Sequence, residues 1–392
     1  MNDSRTLFAG LLFVSACQAM PAELPQRPET ESLSNPQSQT RSHTTVWPLD
    51  GQQKSDIQLD LAAADYQRLP LKTAPQWLLP LPGTVPGWLI LDSHGTAWTA
   101  RFAAGVWQLT AADLPQYPQN ITRAPGLQST EADWLLAPQR LSTTQLERRP
   151  AAQSVDCPSP AVLENPVSDY PHGVFGEPIE ARQWRWLDAD QAIAAAPGGV
   201  FESYQPLLLS GCRVLLTHSL PGQGAQLHVY QSNGRLQASS APVGTHFRWL
   251  HMLGASQFHP DLPEEIVAVE TPHIDGVVRF YQQEGSQLVP AASLRGYTSH
   301  PNRTENLSMA LIGRFDNSGW PGLLIPAQNR QTLVWLRRQP DGITEAASWP
   351  LNAAISSNLR LARWEAQETQ AHSVLAVGTA DGVLHIWHST SP

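Results

Sequence analysis

The sequence predicts an all-β chain, folded as a β-propeller of about six four-stranded blades, or seven if residues 150–199 form one more. Three observations carry this. Short apolar runs recur at Trp88–Leu91, Trp134–Ala137, Val214–Leu216, Ile266–Val269, Leu323–Ile325 and Val374–Val377, about 50 residues apart except for a wider gap from the second to the third that holds the Pro-rich stretch around Cys157. Each run ends at a polar turn built from Gly, Pro, Asn or Asp and leads into an alternating strand. Stripes of period 3.6 are absent, which excludes a stack of helical hairpins.

The elements follow in chain order. Met1–Arg5 is a polar head with one basic side chain, and Thr6–Ala16 is an 11-residue small and apolar stretch. That is too short for a membrane-spanning helix, which needs about 20 residues, but it suits the apolar core of a secretory signal. Ending the stretch in Val14-Ser-Ala-Cys17 resembles the lipobox of bacterial lipoproteins. The resemblance implies cleavage before Cys17, diacylglyceryl transfer to its thiol and acylation of the new amino terminus. Gln18 in place of Asp implies, by the same resemblance, sorting to the outer membrane. An ordinary signal peptide with a chance cysteine is the alternative reading. The expected organisation is therefore a signal at 1–16, a lipidated cysteine and tether at 17–45, and the propeller at 46–392. The tether is rich in Pro, Ser, Gln, Thr and Glu and holds too little apolar surface to fold.

Two repeats are sharply drawn. Ile266–Glu270, Gly276–Tyr281, Gln287–Leu294 and Ser308–Phe315 read as four strands of one unit. Leu323–Ala327, Gln331–Arg338, Ile343–Leu351 and Leu359–Trp364 read as the next, with Gln339-Pro-Asp-Gly342 as a turn. The final repeat has only Ser373–Thr379 and Gly382–His388. An unpaired edge would be exposed there, so N-terminal strands near Asp56–Leu61 and Trp77–Leu81 are expected to complete it. Arg182–Trp186 reads as an outer strand with one packed face, its tryptophans alternating with charges; a protein-binding edge is the alternative.

With Cys17 lipidated, Cys157 and Cys212 remain as an even pair in an oxidising compartment and read as a disulfide. Two isolated buried thiols are the alternative. The formal charge of −9 argues against nucleic acid and against anionic headgroups. Contact with the membrane is expected through the lipid anchor alone.

Ile312-Gly-Arg-Phe-Asp-Asn-Ser-Gly-Trp-Pro-Gly-Leu-Leu-Ile325 resembles the FG-GAP/VCBS repeat, and Gly254–Val269 is a weaker copy. The resemblance covers Arg182–His388 and implies a propeller. In relatives that loop binds calcium through alternating carboxylates. Here Arg314 replaces the first acid and Asp316 is the one carboxylate left, so the loop reads as a turn capped by Asp316.

Taking each apolar run as an innermost first strand, the turns after the runs crowd one end of the central channel. Their polar residues form the candidate binding surface: Asp92, His94, Arg140, His218, Glu270, His273, Asp275, Asn329, Arg330 and Asp381. The alternative is that they serve only hydrogen bonds between blades. Thirteen histidines are scattered without ligand spacing, and no nucleophile elbow or phosphate loop is present, so neither metal nor cofactor is expected. The expected function is a non-catalytic scaffold that binds an envelope protein or a glycan. The alternative is a lipid-anchored hydrolase or lyase acting on envelope polysaccharide, with His94, His218, His273 and Asp275 around the cleft.

Overall fold

The computed structural model describes residues 57–112, 126–129, 134–137 and 152–391, less positions 82, 93, 95, 153, 155, 156, 158, 177, 246, 305 and 367–369. The signal, Cys17, the tether and Arg140 lie outside the described residues.

The described chain is all-β. Strand β1 is Asp65–Pro70. The first full sheet is the antiparallel meander β2 (Pro75–Pro80), β3 (Gly87–Asp92), β4 (Ala97–Ala103) and β5 (Val106–Ala112). A hairpin of β6 (Gly126–Ser129) and β7 (Trp134–Ala137) follows. The middle of the chain is less regular: β8 (Ala161–Val167), β9 (Glu180–Trp186), β10 (Ile193–Ala194), β11 (Val200–Phe201), β12 (Leu207–Leu209), β13 (Arg213–Leu220), β14 (Gly224–Tyr230) and β15 (Leu236–Ser240). Three more meanders close the sequence. They are β16 (Leu250–Gln257) to β19 (Gln287–Arg295) through β17 (Glu264–Glu270) and β18 (Val277–Glu284); β20 (Leu311–Gly313) to β23 (Gly342–Pro350) through β21 (Gly322–Pro326) and β22 (Thr332–Gln339); and β24 (Arg360–Ala366), β25 (Gln370–Thr379) and β26 (Val383–Ser391). Strand β1 pairs antiparallel with β26 from Asp65–His388 to Pro70–Val383, making the last sheet four-stranded.

The apolar runs have a direct cause. Successive side chains on a strand point to opposite faces, and these strands are buried on both. In β21, Leu324 packs toward β24–β26 while Leu323 and Ile325 pack toward β16–β19. In β17, Ile266 and Ala268 join Leu215 and Leu227, whereas Val267 and Val269 join Leu323 and Leu336. In β25, Val374 and Ala376 meet Trp88 and Ile90, while Leu375 and Val377 meet Leu324 and Leu333. Consecutive sheets are thus stacked face to face, and the first four-stranded sheet packs on the last. Trp88 meets Trp364 edge-on at 5.3 Å, and Trp364 Nε1 donates to the Leu81 carbonyl at 2.9 Å. Stacked four-stranded meanders with an N-terminal strand in the C-terminal sheet are the arrangement of a β-propeller.

Three expectations change. The runs at Trp88–Leu91, Ile266–Val269, Leu323–Ile325 and Val374–Val377 lie in β3, β17, β21 and β25, the second strand of each meander, because a strand with packed sheets on both faces is apolar throughout. Ser308–Phe315 is therefore not the fourth strand of the preceding unit; it contains β20, the first of the next. Leu359–Trp364 likewise overlaps β24, so the last repeat has three strands of its own. Its fourth is β1, not residues 56–61 or 77–81. Trp77–Leu81 overlaps β2, and Gln58 bridges in parallel to Arg314 while the Leu59 and Leu61 amides donate to the Arg314 and Phe315 carbonyls.

Cys157 and Cys212 are disulfide-bonded, with Cα atoms 5.5 Å apart across 55 residues. The bond ties the segment before β8 to the β12–β13 turn, beside the cluster around Trp184, Phe201 and Val214. Trp184 and Trp186 of β9 are buried.

Candidate functional site

At one end of the stack, the turns between second and third strands interlock with the connectors that join one sheet to the next. The Ala225 amide donates to the Arg248 carbonyl, Thr271 to Trp249, Tyr297 to Gly276, Gln328 to Gly296, Ile355 to Arg330, Ala380 to Ala354, and Leu71 to Gly382. Turn and connector alternate without a break from β13 to β2. This is the end to which sequence reasoning assigned the candidate residues.

Their individual roles differ. Asp92 is buried, and its Oδ1 accepts the His94 and Thr96 amides at 2.8 Å each, so it shapes the β3–β4 turn on which His94 stands exposed. Glu270 pairs with Arg279 across β17–β18. Asp275 pairs with Arg295, both well exposed. Asn329 caps the Gln331 amide at 2.9 Å, and Arg330 donates to the Ile355 carbonyl at 3.2 Å, with burial lowering its pKa. Asp381 accepts from Thr379 Oγ1 at 2.6 Å. His218 lies within β13, fully buried and stacked on His228 at 4.4 Å, and burial pushes its pKa down to about 4. These residues share a rim but are not gathered into one cleft. Asp316, in the repeat loop, accepts from the Ser318 amide at 2.9 Å and pairs with Arg337 at 3.2 Å.

The Thr271–Gly276 turn is the most constrained part of the rim. The Thr271 carbonyl collects the amides of Ile274, Asp275 and Gly276 at 3.0, 3.3 and 3.1 Å. Thr271 sits at φ +46°, a costly setting for a β-branched residue. Gly276 is at φ +52°, and a Cβ there would lie 1.7 Å from the Tyr297 carbonyl oxygen. Gln328 Nε2 donates to the Pro272 carbonyl at 2.8 Å, binding this turn to the next sheet. Ile274 projects from it, 62% exposed.

Beneath the turn lies a group that sequence reasoning missed. His251 on β16 and Ser299 and His300 on the β19–β20 connector are buried. His251 Nδ1 is 2.6 Å from Ser299 Oγ, Ser299 Oγ is 3.0 Å from His300 Nδ1, and His300 Nε2 meets His273 Nε2 at 2.9 Å. Trp249 stacks on His251 at 5.2 Å and meets His300 edge-on at 5.3 Å. Burial pushes His251 down to about 3 and His273 to about 4, with neighbouring imidazoles adding to both, and holds His300 well below the usual range. Nearby, His172 Nδ1 contacts Glu202, which also accepts from Ser219 Oγ at 2.6 Å. No three His, Cys, Asp or Glu groups among the described residues stand so as to hold a metal ion. The sequence carried no local signal for this cluster, because its members come from positions 251, 273 and 299–300 on three different elements.

Along the inner edge, polar side chains take over pairing between sheets. Asn358 accepts the Leu78 amide at 2.7 Å and donates to its carbonyl at 3.0 Å; Trp249 Nε1 donates to the Glu202 carbonyl at 2.8 Å. A cavity opens here between Ser203, Gln205, Thr217, Trp249, His251 and Leu307.

No protein-family model matches the chain, and no curated protein matches it. Among solved structures, one similar chain is BBS1N, crystallised in complex with ARL6DN and soaked with lead. It is 9% identical, with 84% of this chain and 97% of that chain covered and a TM-score of 0.45.

Proposed function

We propose that this chain is a lipid-anchored propeller of about six blades at the periplasmic face of the outer membrane, acting as a non-catalytic scaffold. Its occupant is an envelope protein or a glycan, held at the end where turns and connectors interlock. The observation that carries this reading is the Thr271–Gly276 turn, which is pinned by three amide hydrogen bonds to one carbonyl yet presents Ile274 and the Asp275–Arg295 pair to solvent. A preorganised exposed loop loses little conformational entropy on binding. The hydrolase or lyase alternative needs His94, His218, His273 and Asp275 around one cleft. His218 is instead buried in β13 and Asp275 is engaged by Arg295. Anchoring rests on the Val14–Cys17 pattern, since several acyl chains, each worth about 0.8 kcal/mol per buried methylene, make a lasting tether.

Two substitutions in cells test the reading separately. Cys17→Ser should release the chain from the membrane fraction. Ile274→Arg should abolish co-purification of the bound protein or glycan while leaving location and folding unchanged, and Ser348→Arg on the outer strand β23 should not. Equal capture by the Ile274 and Ser348 variants would dismiss this end as the binding surface.

A further inference from the structure

The His251–Ser299–His300–His273 chain joins an inner strand, a connector and the exposed turn, and its hydrogen bonds depend on protonation. Two imidazole nitrogens facing each other at 2.9 Å need one N–H and one bare nitrogen between them. Once both rings are imidazolium, both Nε2 atoms are donors and the contact turns repulsive. A first proton is also costly, because none of the three rings is paired with a carboxylate among the described residues. Among the described residues, the carboxylates on packed elements are engaged elsewhere: Glu202 with His172 and Ser219, Glu264 with Arg213, Glu265 with Arg338, Glu270 with Arg279, and Asp275 with Arg295. The other charged or chargeable groups on these elements, among the described residues, are Arg248, Arg279, Arg295, Arg303 and His172, which are cationic when ionised and oppose protonation, and Tyr297, whose hydroxyl donates to Glu345. Leu307, Ser308 and Met309, also buried on the same connector, are uncharged.

We infer that this imidazole chain is an acid-released latch: at neutral pH it holds the Thr271–Gly276 turn to the β19–β20 connector, and on acidification it lets that turn open while the sheets stay folded. The inference concerns the turn itself and stands whether or not the turn binds a partner. The sign follows from linkage. A freed imidazole titrates near 6.5, whereas the latched rings resist protonation, so the open form binds more protons below that pH. Each ring then favours opening by about tenfold per pH unit below 6.5, and three rings act together.

Hydrogen exchange of the full chain in detergent, at pH 7.5 and pH 5.0 and corrected for the intrinsic exchange rate, reads this directly. The expected result is at least a 30-fold rise in opening for peptides spanning 268–278 and 296–304, with strand β22 at 332–339 unchanged. His273→Gln keeps a hydrogen-bonding side chain but removes one titrating ring, and it should reduce the pH response of both segments by at least tenfold. Unchanged protection of the wild-type turn at pH 5.0, or opening of turn and β22 in one step, would overturn the latch. A wild-type pH response in a folded His273→Gln variant would overturn it as well. The wild-type comparison decides the matter even if the variant does not fold.

Discussion

Arg338→Met is the substitution whose consequence the structure fixes most closely. Arg338 of β22 and Glu265 of β17 belong to neighbouring sheets and bury their side chains to 2% and 0% exposure. Arg338 Nη2 and Nε reach Glu265 Oε1 at 3.0 and 3.2 Å, Gln282 Nε2 donates to the same oxygen at 2.9 Å, and Arg338 Nη1 donates to the Gly342 carbonyl at 3.0 Å. Glu265 Oε2 is buried without a hydrogen-bond partner. Methionine keeps the apolar stem that lies near Phe280 but leaves a buried carboxylate with one neutral donor. Breaking such a pair costs about 3–5 kcal/mol, whereas replacing both partners with apolar residues is close to neutral. Arg338→Met should therefore destabilise the domain by about 3–5 kcal/mol, and adding Glu265→Leu should restore most of it. Equilibrium urea unfolding followed by tryptophan fluorescence, run as a double-mutant cycle, measures both. A loss below about 1 kcal/mol for Arg338→Met, or a double mutant as unstable as the sum of the singles, would refute the inter-sheet role.

Other perturbations test separate parts of the account. Gly276→Ala places a Cβ against the Tyr297 carbonyl at positive φ and should cost about 3 kcal/mol or more, while Gly285→Ala, at φ +61° with open space around it, should cost about 1 kcal/mol; thermal unfolding compares them. Replacing Cys157 and Cys212 with serine should remove about 4 kcal/mol, the loop-closure entropy of a bond spanning 55 residues, read from the urea midpoint. Burial lowers the folded pKa of His218 to about 4 and of His228 to about 3, so the unfolded chain binds more protons below 6.5. Their contribution is complete above that pH and is lost as pH falls toward 4, at about 1.4 kcal/mol per pH unit for each ring. His218→Gln should flatten the measured stability–pH slope by that amount.

The sequence showed the strands because their chemistry is local. Leu323–Ile325 and Val374–Val377 are apolar at every position since neighbouring sheets cover both faces, and the same fact made the spacing of repeats visible. The phase was not visible. The first strands β16 and β20 mix Gly, Ser, His and Gln with apolar residues or run to three residues, so nothing in them announces the start of a sheet. The closing strand β1, Asp65–Pro70, is mostly exposed and carries no apolar signature; its place is set by pairing with β26, which is non-local. The site was legible in part. The turn 271–276 stood out through Pro272, His273 and Gly276, but its partner His300 and the link through Ser299 to His251 depend on stacking between elements up to 49 residues apart. Polar residues such as Glu270 and Asp381 looked like ligands in sequence and serve their own hairpins in the structure.

The docking role proposed for the interlocked end makes a prediction in cells. Photo-crosslinking in intact cells tests it most directly, with the probe at position 274 and a control at position 348 on β23. Discrete adducts are expected from 274 and none from 348. Adducts from both positions alike, or from neither in a correctly located and folded chain, would contradict it.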